Sequence, residues 1–156
     1  MPHRVYVDTS VVGGVHDPAF TTDSQWVFDE AARGSLILLV SDVLARELLG
    51  AREDIRKVVN DLPPSAAEPV LLDDRAEDLR DAYLAAKVVG PSSTLDATHV
   101  AIATVAGADA LLSWDRHHIV GLVRVRGYNG INRSRGYQDL TIVTRTRYRA
   151  AQTGTP

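Results

Sequence analysis

One stretch decides the fold: Arg4-Val5-Tyr6-Val7-Asp8-Thr9-Ser10. Its apolar run, Val5 to Val7, has strong strand preference, and an acid and two hydroxyl residues follow at once. In an open parallel sheet, ligands bind beyond the carboxyl ends of the strands, which is where Asp8 is predicted to lie. Taken alone, the stretch slightly favours a simpler interpretation, in which Asp8 turns the chain or caps the next helix.

Composition sets the class of protein. A length of 156 residues, 45% hydrophobic and 24% charged, suits one soluble globular domain, predicted over 1–149 with a flexible tail over 150–156. No apolar run is long enough to span a bilayer, and we expect neither a signal peptide nor membrane association. The sequence has no cysteine, which excludes disulfides and thiolate chemistry and favours a cytoplasmic location.

Charge is distributed unevenly. From Arg116 to Arg149 there are eight arginines and one acid, a balance of +7, which leaves −10 for the remainder of a chain whose net charge is −3. Such asymmetry indicates a polyanion bound near the basic part. Pairing of these arginines with the acidic half of the chain, or with an acidic partner, explains the pattern equally well.

Strand-like and helix-like segments alternate along the chain. Strands are predicted near 5–7, 35–40, 69–72, 110–113 and 140–143. Helices are predicted near 25–33, 42–49, 52–60, 74–89 and 95–106, with a loop over 11–14 and short helices and loops over 116–138. Alternation of this kind implies right-handed βαβ crossovers. We therefore predict an α/β fold, a three-layer α/β/α sandwich around a parallel sheet of four or five strands.

Four acids are predicted to meet at one edge of that sheet. Asp8 follows the first strand, Glu47 lies on the helix after the second, and Asp115 follows the fourth. Asp96 is near the start of the helix that leads into the fourth strand, and that start lies at the carboxyl edge because the helix runs back antiparallel to the strands. The sequence thus predicts a crevice lined by carboxylates.

Carboxylates this close together repel one another, and a divalent cation removes that conflict. Ligands that are all oxygen suit Mg²⁺ or Mn²⁺. One or two such ions can activate water and stabilise the leaving oxygen in phosphodiester cleavage. The sequence therefore predicts a metal-dependent nuclease, with the basic stretch binding the backbone of the substrate.

Four segments together resemble the PIN domain family, and within it the bacterial VapC-like group. They are Val5-Tyr6-Val7-Asp8-Thr9-Ser10, Ser41-Asp42-Val43-Leu44-Ala45-Arg46-Glu47-Leu48, Asp96-Ala97-Thr98-His99-Val100-Ala101-Ile102-Ala103 and Leu111-Leu112-Ser113-Trp114-Asp115. The resemblance implies a Mg²⁺- or Mn²⁺-dependent endoribonuclease with Asp8, Glu47, Asp96 and Asp115 as its acids. It also implies the toxin role in a toxin–antitoxin pair, with an RNA substrate, a small antitoxin partner and a homodimer.

Further residues are assigned around this core. Thr9, Ser10 and Ser113 are expected to support the acids from behind, and His99, on the same helix face as Asp96, is expected to be a satisfied structural histidine. Contacts to RNA are predicted for a set of basic and amide side chains: Arg116, Asn129, Asn132, Arg133 and Arg135.

Two other functions compete with the nuclease. A non-catalytic PIN-like module that binds RNA or protein is the main alternative, although acids at all four positions argue against it. A phosphatase with an aspartyl nucleophile is weaker, since that chemistry commonly needs a second acid two residues after the first, where this chain has Ser10.

Overall fold

The computed structural model describes residues 2–115 and 121–144. Predictions for Arg116 and for residues 145–156 concern parts of the chain outside those ranges. The two described ranges build one sheet, because strands from both pair with each other.

Five strands, all parallel, form the sheet in the order β3-β2-β1-β4-β5. The strands are β1 (His3–Val7), β2 (Leu36–Ser41), β3 (Ala67–Val70), β4 (Ala110–Leu112) and β5 (Thr141–Val143). The order places β1 in the centre, with the chain first building outward through β2 and β3 and then crossing to β4 and β5. This confirms the predicted parallel sheet.

Seven helices connect and cover the strands within the described ranges. They are α1 (Thr9–Gly13), α2 (Thr21–Arg33), α3 (Asp42–Leu48), α4 (Glu53–Asn60), α5 (Asp74–Ala85), α6 (Thr94–Val105) and α7 (Leu122–Ser134). None of these helices is long and apolar enough to cross a membrane. Short 3₁₀ turns at Gly14–His16, Pro64–Ala66 and Pro91–Ser93 complete the connections.

The sheet divides the core into two halves. Along β1, Val5 and Val7 pack into a cluster with α1 to α4, whereas Tyr6 packs into a second cluster with α5 to α7. This follows from the alternation of side chains along a strand, with both faces of the sheet apolar. Helices thus cover both faces, which confirms the predicted three-layer α/β/α sandwich.

Two predicted loops are wrong. Residues 11–14, predicted as a loop, belong largely to α1, because the Asp8 side chain accepts hydrogen bonds from the amides of Ser10 and Val11 and so caps a helix there. The region predicted as short helices and loops over 116–138 contains the thirteen-residue helix α7. Its glycines and asparagines suggested turns, but packing against α5 overrides that local preference.

Gly14 packs closely against α2 and the residues that follow β4. A Cβ atom there would overlap Ser24 Oγ and would lie 2.9 Å from Trp114 Nε1. Those two groups are hydrogen-bonded to each other at 2.8 Å, and Ser24 Oγ also donates to the Val11 carbonyl at 2.8 Å. A side chain at Gly14 would therefore disrupt a buried hydrogen-bonded contact.

We expect Gly14→Ala to lower the free energy of unfolding by about 1–3 kcal/mol, the usual range for forcing extra volume into a packed core. Gly13→Ala is the matched control, since a Cβ at Gly13 has nothing within 4 Å. Urea denaturation of both variants measures the difference. Equal losses in the two would contradict this account of Gly14.

Candidate active site at the carboxyl edge of the sheet

The site lies where the order of the strands reverses. β1 and β4 are neighbours in the sheet, paired through Val7 and Leu112, yet they are far apart in the chain. Asp8 and Ser113 directly follow these paired residues, so they leave the sheet side by side. A reversal of this kind opens a crevice beyond the carboxyl ends of parallel strands, where ligands bind.

Asp8 is a buried carboxylate, 4% exposed. Its Oδ1 accepts hydrogen bonds from Ser10 N at 3.0 Å, from Ser10 Oγ at 2.5 Å and from Val11 N at 3.3 Å, and the Ser113 hydroxyl bonds to the same carboxylate. Burial raises the pKa of Asp8, and these bonds together with the nearby His99 ring offset only part of that rise. Asp8 therefore both caps α1 and supplies an acid to the crevice.

Glu47 lies on α3 and is held by two donors. Its Oε1 is 2.7 Å from His99 Nε2, and its Oε2 accepts a hydrogen bond from Thr9 Oγ1 at 3.0 Å. Burial raises the pKa of Glu47, but the hydrogen bond and attraction of His99, with the bond from Thr9, outweigh burial and leave the pKa lowered. Glu47 is consequently ionised and fixed beside the residue that follows Asp8.

Thr9 and Ser10 form hydrogen bonds to two different acids. Ser10 bonds to Asp8, and its Oγ also accepts a hydrogen bond from Trp114 N at 2.9 Å. Thr9, expected to support the acids, donates its hydroxyl to Glu47 and not to Asp8, because successive residues of α1 point in different directions.

Asp115 and Asp96 occupy the same edge of the sheet. Asp115 is half-buried three residues beyond β4, and its amide donates to Ser113 Oγ at 3.1 Å. Asp96 is half-buried in the first turn of α6, one turn before His99 on the same helix. The structure thus links the surroundings of Asp8, Glu47 and Asp115 by hydrogen bonds, and α6 brings Asp96 to the same edge.

Sequence reasoning missed the connection between His99, Glu47 and β1. Both ring nitrogens of His99 have partners, as expected of a satisfied histidine, but one partner is an acid of the site and the other is the Tyr6 hydroxyl. The i, i+3 spacing of Asp96 and His99 was the available signal that this ring faces the crevice.

The oxygen donors match a hard divalent cation in chemistry, and Ser10 and Ser113 hold Asp8 from behind, as metal-binding carboxylates are usually held. Across residues 2–115 and 121–144, however, no three His, Asp or Glu side chains are grouped closely enough to hold a metal ion. The Mg²⁺ or Mn²⁺ centre accordingly stays a prediction.

The predicted RNA contacts of Asn129 and Asn132 are wrong. Asn132 is fully buried and accepts a hydrogen bond from Tyr83 Oη at 2.5 Å. Asn129, 9% exposed, bonds through its side chain to both the amide and the carbonyl of Leu140, at 2.7 and 3.0 Å. These amides tie α7 to the core and to the start of β5, where RNA cannot reach them.

Arg133 and Arg135 lie at the amino edge of the sheet, opposite the edge where Asp8 stands. The Arg133 guanidinium binds both carboxylate oxygens of Asp139, at 2.9 and 2.7 Å. Asp139 lies two residues before β5, whose first residue pairs with the first residue of β4, so this ion pair lies at the amino edge. Arg135 follows the end of α7 at that same edge, and the RNA contacts of these two arginines stay a prediction.

Comparison with known proteins bears on the fold. No family model and no curated protein matches the sequence. Among solved structures, a chain in the crystal structure of VapBC2 from Rickettsia felis, bound to a DNA fragment from their promoter, superimposes with a TM-score of 0.56 at 12% identity. The match covers 90% of this chain and 98% of that chain. The chain therefore shares the fold of that neighbour, a parallel five-stranded sheet with helices on both faces. At this level of identity the likeness concerns the fold alone.

We expect Asp8→Asn to stabilise the protein at pH 7 by about 1 kcal/mol, the scale of a typical single-site effect. An amide keeps the oxygen that accepts from Ser10 and Val11, and the Ser113 hydroxyl can rotate to accept instead of donate. Because the folded pKa of Asp8 is raised, ionisation in the unfolded chain lowers stability as the pH rises from the ordinary value, 3.8, towards the folded value.

The gain should therefore disappear below that window, where Asp8 is protonated in both states. Thermal unfolding between pH 3 and 8 measures it, with Asp78→Asn, at an exposed position on α5, as the control. A loss of stability in Asp8→Asn at pH 7 would contradict the inferred effect of burying this charge.

Proposed function

We propose that the protein is a Mg²⁺- or Mn²⁺-dependent endoribonuclease that cleaves RNA phosphodiester bonds with metal-activated water. One observation carries the proposal: a buried carboxylate, Asp8, stands at the reversal of a PIN-like sheet and is joined by hydrogen bonds to the surroundings of Glu47 and Asp115. An ionisable group whose pKa is shifted by burial in a crevice is typical of a functional site.

In the proposed cleavage, some residues would hold the metal ion and others would orient those residues. Asp8, Glu47, Asp96 and Asp115 are the acids that would hold the ion, which when bound supplies an activated water and a counter-charge for the leaving oxygen. Ser10 and Ser113 fix the orientation of Asp8. His99 and Thr9 fix Glu47 and lower its pKa, so that its carboxylate is ionised and available to hold a cation.

A role as the toxin of a toxin–antitoxin pair is the finer part of the proposal. It is supported by the likeness of the fold to a chain of VapBC2, a protein that the crystal structure shows with a promoter fragment. The partners we propose are an RNA substrate, a small antitoxin that covers the crevice, and a second copy of the chain.

The second candidate is a non-catalytic module that binds RNA or protein. One observation favours it: the described side chains include no ready-made group of three metal ligands. The two functions share the fold and differ in whether the acids are needed for a chemical step, so substitutions at the acids distinguish them.

We expect the purified protein to cleave RNA in the presence of Mg²⁺ or Mn²⁺ and to stop when EDTA is added. Asp8→Asn and Asp96→Asn should each lower kcat by at least about 100-fold, because each removes a charge that would hold the ion. Gel analysis of a labelled RNA gives the rates, and Asp78→Asn should cleave like the native protein.

Cleavage that survives both acid substitutions and EDTA would point to a contaminating nuclease and refute the proposal. RNA binding without cleavage in any divalent metal would instead support the non-catalytic module. Since Asp8→Asn is expected to be more stable than the native protein, loss of cleavage in that variant cannot be assigned to unfolding.

The toxin role has a separate test in living cells. Induced expression in a bacterial host should arrest growth, and Asp8→Asn at the same protein level should not, because growth arrest by this route needs RNA cleavage. Optical density and immunoblotting measure growth and level together. Arrest by both forms would show that toxicity, if present, does not come from the acids.

A further inference from the structure

We propose that Tyr6 and His99 are positioning residues, which set the orientation of Glu47 through a chain of hydrogen bonds that crosses the core from Ser41. This deepens the proposed function and rests on it, because the orientation of Glu47 matters only where its carboxylate acts.

The chain of hydrogen bonds is continuous. Ser41 Oγ lies 2.8 Å from Tyr6 Oη, which lies 2.5 Å from His99 Nδ1, and His99 Nε2 lies 2.7 Å from Glu47 Oε1. Leu44 N donates to Ser41 Oγ at 3.0 Å as part of the cap of α3. The chain thus begins and ends on α3.

For a neutral His99 ring, the donors and acceptors fit one direction throughout. Ionised Glu47 only accepts, so His99 Nε2 carries a proton. The Leu44 amide only donates, so the Ser41 hydroxyl is free to donate to Tyr6, and Tyr6 to donate to Nδ1. Every group is then satisfied once, with His99 in the tautomer that has its proton on Nε2. Tyr6 is therefore the residue that selects the tautomer facing Glu47.

Burial makes this chain difficult to explain as mere packing. Tyr6, His99 and Ser41 are 0%, 2% and 1% exposed, on the face of the sheet covered by α6. Polar groups in that position bring a desolvation penalty that apolar side chains of similar size would avoid. A fully satisfied network does, however, specify one arrangement of the elements that it joins.

The elements joined are those that carry acids. Tyr6 is on β1, two residues before Asp8. Ser41 ends β2 and caps α3, and Glu47 lies in the last turn of α3. His99 is on α6, one turn from Asp96. A single network accordingly fixes α3 and α6 against the central strand. Removing the Tyr6 hydroxyl would leave Ser41 and His99 without their shared partner and free the imidazole to change tautomer.

The first test is spectroscopic and needs neither metal nor substrate. In ¹⁵N-histidine-labelled protein, we expect the His99 signals to show a protonated Nε2 and an unprotonated Nδ1, and Tyr6→Phe to shift both. His99→Gln assigns the signals among the five histidines. Tyr83→Phe is the matched control, since it also removes a buried, hydrogen-bonded hydroxyl, one that contacts Asn132 instead.

The second test is a double-mutant cycle on cleavage. Tyr6→Phe should lower kcat by about 10-fold, as removal of a supporting partner of a site residue typically does, with little change in KM. In a Glu47→Gln background the same substitution should have no further effect, because it acts through Glu47. Tyr83→Phe should leave kcat unchanged in both backgrounds.

Identical His99 signals in the native protein and Tyr6→Phe would overturn the proposal, as would an equal loss of kcat in both backgrounds. A native protein that does not cleave RNA would refute the proposed function, yet the spectroscopic test would still decide whether Tyr6 controls His99. The two failures are therefore distinguishable.

Discussion

A carboxylate buried at the end of a central strand is stable only if hydrogen bonds replace the water that it has lost. Asp8 meets that demand with donors from both sides of the reversal in the sheet, Ser10 and Val11 after β1 and Ser113 after β4. These bonds begin α1, anchor the loop after β4 and hold the two strand ends together. Much of the local architecture is a response to this one buried charge.

The same principle extends into the core behind the site. Glu47 has a donor on each carboxylate oxygen, and His99, one of those donors, is itself held by Tyr6. The apolar clusters on the two faces of the sheet provide most of the favourable burial, whereas this polar chain determines how the helices that carry acids are placed. Stability and the geometry of the site thus come from different groups.

The sequence predicted what depends on local pattern. Apolar runs and the acids directly after them located β1 and β4, since strand ends are read from neighbouring residues, and the alternation of strands and helices indicated a parallel sheet. It did not predict that Tyr6 bonds to His99, a contact across 93 residues with no periodic signal. It also misplaced Asn132, because asparagine among glycines and arginines suggests an exposed turn, while tertiary packing buries it on α7.

The central position of β1 has a consequence for synthesis of the chain. The ribosome makes β1 first, but its neighbour β4 and the Ser113 hydroxyl come only after α6 is complete. Until then Asp8 lacks its hydrogen bond from Ser113, and β1 has no neighbouring strand on the β4 side. A chain that ends before β4 therefore lacks Ser113 and Asp115, two of the groups that stand at the carboxyl edge of the sheet.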